Sequence, residues 1–333
     1  MTRSLVIQTS FLGDMVLTTP LLAELAGRGA VDVVATPANA PLLANHPAVR
    51  RVIVFDKRRD ARGLHGLART AATLREAGYG VAYLAQGSMR SATLARVAGI
   101  PVRVGFETSA GRWLYTHRVP YRDDVHHAER LWRLAMPAGA LASAEALRPR
   151  LHPGDAERHA VDVVLQGSAA EGRPFIALAP GSIWATKRWP YYPELVRQLA
   201  AETPVVVVGG AVDGDLGRAI ASVSPGRVLD ATGRLSLLAS AEIIRRARAL
   251  VTNDSAPMHL ASAVGTPTVA IFGPTVPDFG FGPLAPNAAT VGHELLSCRP
   301  CDRHGPKACP LGHWRCMRDV TPELVHQTLL ATS

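Results

Sequence analysis

The chain has 333 residues, more than one ordinary domain needs and enough for two, each with its own core. Hydrophobic residues make up 47% and charged residues 19%, which excludes a disordered chain, and no apolar run reaches the roughly 18 to 20 residues of a membrane-spanning helix. The formal net charge of +9 is uneven, +7 over residues 1–165 and +2 over 166–333, and suits an anionic partner of the first half.

Met1-Thr2-Arg3 runs straight into Ser4-Leu5-Val6-Ile7-Gln8, without the apolar segment of a signal peptide, so the expected location is cytoplasmic. A predicted strand at 5–9 enters a turn at 10–13 and an apolar-periodic helix over 14–26. Short strands at 31–35, 51–55 and 81–85 follow, separated by helical segments at 41–45, 64–77 and 89–98. After an Ala-, Pro- and Arg-rich passage and a short helix at 155–166, the pattern restarts. Its strands fall at 175–179, 205–208, 228–230, 249–252 and 268–272, its helices at 192–201, 215–222, 235–247 and 256–264. The run Val205-Val206-Val207-Val208 is typical of a strand buried on both faces. A Cys- and His-rich loop at 298–316 and a helix at 321–331 end the chain. The fold class is therefore α/β, two open parallel sheets covered by helices with a cleft between the domains, and ligands are expected beyond the carboxyl ends of the strands.

Three of those loops carry chemistry. In Ser10-Phe11-Leu12-Gly13-Asp14, Gly13 permits close backbone approach and Asp14 lies where a helix N-terminus stabilises a carboxylate; taken alone, Asp14 reads first as a helix cap. The loop is neither G-x-G-x-x-G nor a phosphate loop ending in Gly-Lys-Ser/Thr, which removes support for a nicotinamide dehydrogenase and a P-loop kinase. In Pro180-Gly181-Ser182-Ile183-Trp184-Ala185-Thr186-Lys187, one of only three lysines joins two hydroxyls and a glycine, either a cradle for phosphate oxygens or a solvated basic loop. In Asn253-Asp254-Ser255-Ala256-Pro257-Met258-His259, Pro257 opens a helix whose N-terminus suits an anion, although Asp254 or Ser255 as a cap and His259 as a core residue fit as well.

Together with Thr18-Thr19-Pro20, Lys187-Arg188-Trp189-Pro190, Gly265-Thr266-Pro267 and Phe272-Gly273-Pro274-Thr275, in this order, these segments resemble the ADP-heptose:lipopolysaccharide heptosyltransferases, glycosyltransferase family 9, and especially the heptosyltransferase II branch. The resemblance covers nearly the whole chain. It implies a GT-B fold, two Rossmann-like doubly wound parallel-sheet domains facing a central cleft, and an inverting, metal-independent transfer of heptose from ADP-heptose to the lipopolysaccharide inner core, with Asp14 as general base and Lys187 on the diphosphate. It further implies substrate binding by Gly13, Thr18, Pro180, Gly181, Ser182, Thr186, Asp254, Ser255, Ala256 and His259; many members carry Gly at the position of Ala256. Residues 1–165 would bind the acceptor and 166–320 the nucleotide sugar, and the helix at 321–333 would pack back on the N-terminal domain. The basic run Lys57-Arg58-Arg59-Asp60-Ala61-Arg62, with Arg69 and Arg75, suits an anionic acceptor and peripheral contact with the inner membrane face, while a solvated helix face explains any single Arg equally well. Nucleic acid is not an expected partner.

All four cysteines fall in Cys298-x2-Cys301-x7-Cys309-x6-Cys316, with His304 and His313 between them. The spacing suits structural zinc, but a Cys-Pro-rich tail is also part of the resemblance and implies no metal, so no cofactor is expected and reduced thiols or a disulfide are favoured over zinc. The rival functions are transfer from another nucleotide sugar, a GT-B-like sugar-nucleotide epimerase, and a binding module without catalysis. Asp14 argues against the last of these.

Overall fold

A computed structural model describes residues 3–56 and 63–333, in two compact units that divide between His152 and Pro153. In the N-terminal unit the elements are Ser4–Gln8 (β1), Leu12–Ala26 (α1), Val31–Ala35 (β2), Arg51–Val54 (β3), Gly63–Ala77 (α2), Val81–Leu84 (β4), Met89–Val97 (α3), Val102–Phe106 (β5), His117–Val119 (β6), His127–Arg133 (α4) and Ala144–Leu147 (α5). The C-terminal unit holds Asp155–Leu165 (α6), Ile176–Ala179 (β7), Tyr192–Leu199 (α7), Val205–Val207 (β8), Gly214–Ala221 (α8), Val228–Asp230 (β9), Leu237–Arg246 (α9), Ala249–Asn253 (β10), Ala256–Val264 (α10), Thr268–Phe272 (β11), Ala288–Gly292 (β12), Arg315–Arg318 (α11) and Pro322–Thr332 (α12).

Each unit is built on six parallel strands, in the orders β3-β2-β1-β4-β5-β6 and β12-β11-β10-β7-β8-β9. Both place the first strand of the unit at the centre and reverse the direction of winding beside it. The crevices at the carboxyl ends of β1 and β4, and of β7 and β10, are therefore switch points, where an open α/β sheet receives ligands. The central strands are fully buried, as the unbroken apolar runs Leu5-Val6-Ile7 and Val205-Val206-Val207 require of strands covered on both faces.

The structure changes one expected boundary and one expected packing partner. The helix α6 packs on α9 and belongs to the C-terminal unit, which moves the division to 152/153 from the expected 165/166. The final helix was expected on the N-terminal domain; instead Val325 and Leu329 of α12 are buried with Val251, Val269 and Ile271 in the core of the C-terminal unit. The shifted division also sharpens the charge pattern: residues 1–152 hold 20 Lys and Arg against 11 Asp and Glu, whereas residues 153–333 hold 16 of each. The whole excess thus lies on the N-terminal unit. No helix of the described residues is long and apolar enough to cross a membrane.

Candidate active site

In the N-terminal unit the candidate residues gather where β1 ends. Asp14 is the third residue of α1, reached through a loop held from two sides: the buried Gln8 accepts the Ser10 N–H on Oε1 (3.2 Å), and Asn39 Nδ2 donates to the Ser10 carbonyl (2.9 Å). Asp14 Oδ2 accepts from the Ser10 hydroxyl and from the Phe11 N–H (3.3 Å), so it does cap its own helix. Its other oxygen is turned elsewhere: Oδ1 lies 3.5 Å from Nε2 of His127, the first residue of α4, which packs along α1. Both side chains are shielded, 16% and 13% exposed.

Thr18, Thr19 and Pro20 shape this helix. The buried Thr18 hydroxyl donates to the Asp14 carbonyl (2.6 Å) and accepts from Gln8 Nε2 (3.1 Å). Pro20 has no N–H to offer the Val16 carbonyl, and the Thr19 hydroxyl donates there instead (2.8 Å). Gly13, one residue before Asp14, is half-buried in the first turn. Lys57, Arg58, Arg59 and Arg62 lie outside the described residues; of their neighbours, Arg75 Nη2 donates to the Val97 carbonyl (2.5 Å) and Arg69 is exposed.

At the second switch point, Lys187 closes a single 3-10 turn, Ala185–Lys187, in the loop after β7. Its Nζ lies 2.6 Å from Asp254 Oδ2, and the same oxygen accepts the Thr275 hydroxyl (2.7 Å). With side chains 10% and 11% exposed, this ion pair joins the loops that leave β7, β10 and β11. Asn253 locks them: Nδ2 donates to the Pro180 carbonyl (2.8 Å), and Oδ1 accepts from the Trp189 N–H (3.1 Å) and the Tyr192 hydroxyl (3.3 Å). Trp189 is buried, its indole N–H on the Val320 carbonyl (2.8 Å). A Cβ at Gly181 would strike the Asp213 carboxylate, which accepts the Gly210 N–H (2.9 Å). The Ser182 carbonyl accepts from Arg188 Nε (2.9 Å) and Nη2 (2.8 Å).

Ser255 is the N-cap of α10, in extended conformation and with no side-chain capping bond; Ala256 and Pro257 are the first two helical residues, and His259 sits in the first turn, buried. Gly265, at φ 79°, ends the helix with its N–H on the Ala261 carbonyl (2.8 Å), a left-handed position that suits glycine.

The cysteine-rich segment is a strap over the Lys187 loop. Arg299 donates to the carbonyls of Gly273 (2.5 Å), His293 (2.9 Å) and Thr275 (2.9 Å), the Cys301 N–H to that of Pro274 (2.8 Å), and the buried Thr186 hydroxyl to that of Pro306 (2.5 Å). Thr186 thus spends its hydroxyl on the strap. The four thiols are free, and burial, reinforced by the neighbouring thiols, raises Cys301 and pushes Cys316 up to about 11. Among the described residues no three His, Cys, Asp or Glu side chains gather as a cation site.

His127 is not among the residues expected from the sequence because α4, only 7 residues long, carries too short a periodic signal. The signal was His126-His127 ahead of Glu129 and Leu131: His126 is the N-cap, its Nδ1 accepting the Ala128 N–H (3.1 Å).

The model of glycosyltransferase family 9 (heptosyltransferase) matches residues 67–313. The chain belongs to glycosyltransferase family 9. Over 99% of its length it is 31% identical to lipopolysaccharide heptosyltransferase 2 of Escherichia coli strain K12, covering 98% of that protein, and over 98% it is 30% identical to the Salmonella typhimurium enzyme of the same name, covering 97%. Among solved structures, the E. coli ADP-heptose LPS heptosyltransferase II superposes with a TM-score of 0.81 at 29% identity, covering 99% of this chain and 98% of that one. The protein is an enzyme of the glycosyltransferase class, and its two Rossmann-like units have the GT-B design.

Proposed function

We propose that this family 9 enzyme is an inverting, metal-independent heptosyltransferase that moves heptose from ADP-heptose to the inner core of lipopolysaccharide. What supports this most is the full-length likeness to the E. coli ADP-heptose LPS heptosyltransferase II. The C-terminal unit takes the nucleotide sugar and the N-terminal unit the acceptor, whose anionic character suits the basic excess there, Lys57, Arg58, Arg59 and Arg62 included. An enzyme with this acceptor works in the cytoplasm, peripheral to the inner membrane face.

The acceptor hydroxyl is a poor nucleophile until its proton is removed. In this reading the proton passes to Asp14 as the hydroxyl oxygen bonds to the anomeric carbon. The bond from that carbon to the diphosphate breaks in the same displacement, its electron pair leaving on ADP, and the anomeric centre inverts. Charge growing on the diphosphate is met by Lys187, the Ser182 hydroxyl and the first-turn N–H groups of α10 after Asp254, Ser255 and Ala256. Gly13, Pro180, Gly181 and His259 line the substrates; Thr18 and Thr186 support them from behind, since their hydroxyls are held inside the fold.

The test is transfer from ADP-heptose to a heptose-deficient lipopolysaccharide by wild type and Asp14→Asn. A fall in kcat of roughly 10²- to 10⁴-fold with ADP affinity unchanged is expected for loss of a general base. A variant that keeps its kcat removes Asp14 from the reaction.

A further inference from the structure

We propose that His127 is a positioning residue that acts through Asp14, fixing the carboxylate oxygen that receives the acceptor's proton. The inference rests on the reading of Asp14 as the base. A carboxylate at the end of an aspartate turns easily, because its terminal torsion has broad wells rather than three sharp ones. In this protein the two oxygens are held unequally. Oδ2 is committed to the Ser10 hydroxyl and the Phe11 N–H (3.3 Å), both part of the start of α1. Oδ1 is the oxygen left for an incoming hydroxyl, and the side chain the structure places against it is His127, with Nε2 at 3.5 Å.

That separation is longer than a formed N–H···O bond, and contacts of this kind tighten when substrate fills a site. A small turn of either side chain closes it. The imidazole is also well placed to be rigid. His127 opens α4, whose entry is fixed by the His126 cap and whose buried Leu131 and Trp132 anchor the helix in the N-terminal unit, where α4 packs along α1. Both partners of the contact thus sit on helices, and both are shielded enough for a hydrogen bond to hold geometry better than at an open surface. With Nε2–H on Oδ1, the plane of the carboxylate is set at both ends and one lone pair of Oδ1 remains for the acceptor.

The experiment compares wild type, His127→Ala, His127→Gln, Asp14→Asn and the Asp14→Asn/His127→Ala double variant, each first checked for an unchanged Tm and ADP affinity. His127→Ala is expected to lower kcat about 10- to 100-fold with little change in the KM for ADP-heptose, since misplaced geometry is lost from the reacting step rather than from binding. His127→Gln, which can present an amide N–H to the same oxygen, is expected to recover part of that loss. The double variant is expected to be no slower than Asp14→Asn alone, because a residue that works through Asp14 has nothing left to position. Unchanged kcat in His127→Ala, an effect confined to KM, or losses that multiply in the double variant each overturn the proposal. Failure of the underlying reading looks different: Asp14→Asn itself then keeps its kcat, whatever the His127 variants do.

Discussion

At the scale of single residues, the Lys187–Asp254 pair ties together the loops at the C-terminal unit's switch point. Two opposite charges at 2.6 Å, each about nine-tenths shielded, stabilise one another only as a pair, and removing one leaves the other buried without a counter-charge. Lys187→Ala is therefore expected to do two things. Stability should fall by about 3 kcal/mol, read as a Tm lower by roughly 10 °C, and ADP affinity should fall when measured well below that Tm. Unchanged affinity in the folded variant would take Lys187 out of the diphosphate site. The residue types at both switch points were legible in the sequence because Gly-Asp, a rare lysine and Asn-Asp-Ser each follow a recognisable strand. Which hydroxyls are held by the protein's own carbonyls was not. Thr186 read as a cradle hydroxyl by position and Thr18 as a substrate residue by resemblance; the Thr18 hydroxyl is bound back to the Asp14 carbonyl and that of Thr186 to a carbonyl 120 residues on in the chain, a partner that no local pattern announces.

At the scale of elements, long helices and unbroken apolar strands were predicted to within a residue or two, and so were the edge strands β3 and β9, while β5, β6 and β12 were missed. The strand β5 carries Arg103 and Gly105, β6 has only three residues, and β12 is Ala- and Thr-rich and half-exposed, so none shows a run of large apolar residues. Gly105 is there because the Tyr115 ring lies against its Cα, a tertiary demand that weakens the local strand signal. The helix α4 was missed for its shortness, and with it His127. In the loop between β2 and β3, another buried histidine contributes to stability. His46 packs edge-on against His152, ring centroids 5.0 Å apart, and its Nδ1 accepts the Ala48 N–H (3.2 Å). Burial, and then the neighbouring His152, pushes the His46 pKa down to about 4 from its ordinary 6.5. The folded chain thus holds His46 neutral where the unfolded chain protonates it. Stability contributed by this group is present above pH 6.5 and drains away as pH falls towards 4, by about 3 kcal/mol in all. Denaturant unfolding between pH 7 and 4 should show that slope in wild type and a shallower one in His46→Gln; identical slopes would contradict the assignment.

At the scale of the whole molecule, the same topology is used twice with different charge. Each unit repeats the switch-point geometry, one presenting a carboxylate beside a histidine, the other a lysine beside a helix N-terminus. The N-terminal unit carries the entire positive excess and the C-terminal unit is formally neutral. The doubling was legible because each half restarts with a strand, a glycine-containing loop and a helix. The exact division was not, since α6 looks like the close of one half and is, by its packing on α9, the opening of the other. The proposed function requires the C-terminal unit to hold a nucleoside diphosphate through protein groups alone. The most direct test is a calorimetric titration of the protein with ADP, UDP and GDP, each with and without a chelator. The account predicts binding of ADP in preference to the other two, unchanged by the chelator and weakened in Lys187→Ala. Preference for UDP or GDP, or binding that the chelator abolishes, would contradict it.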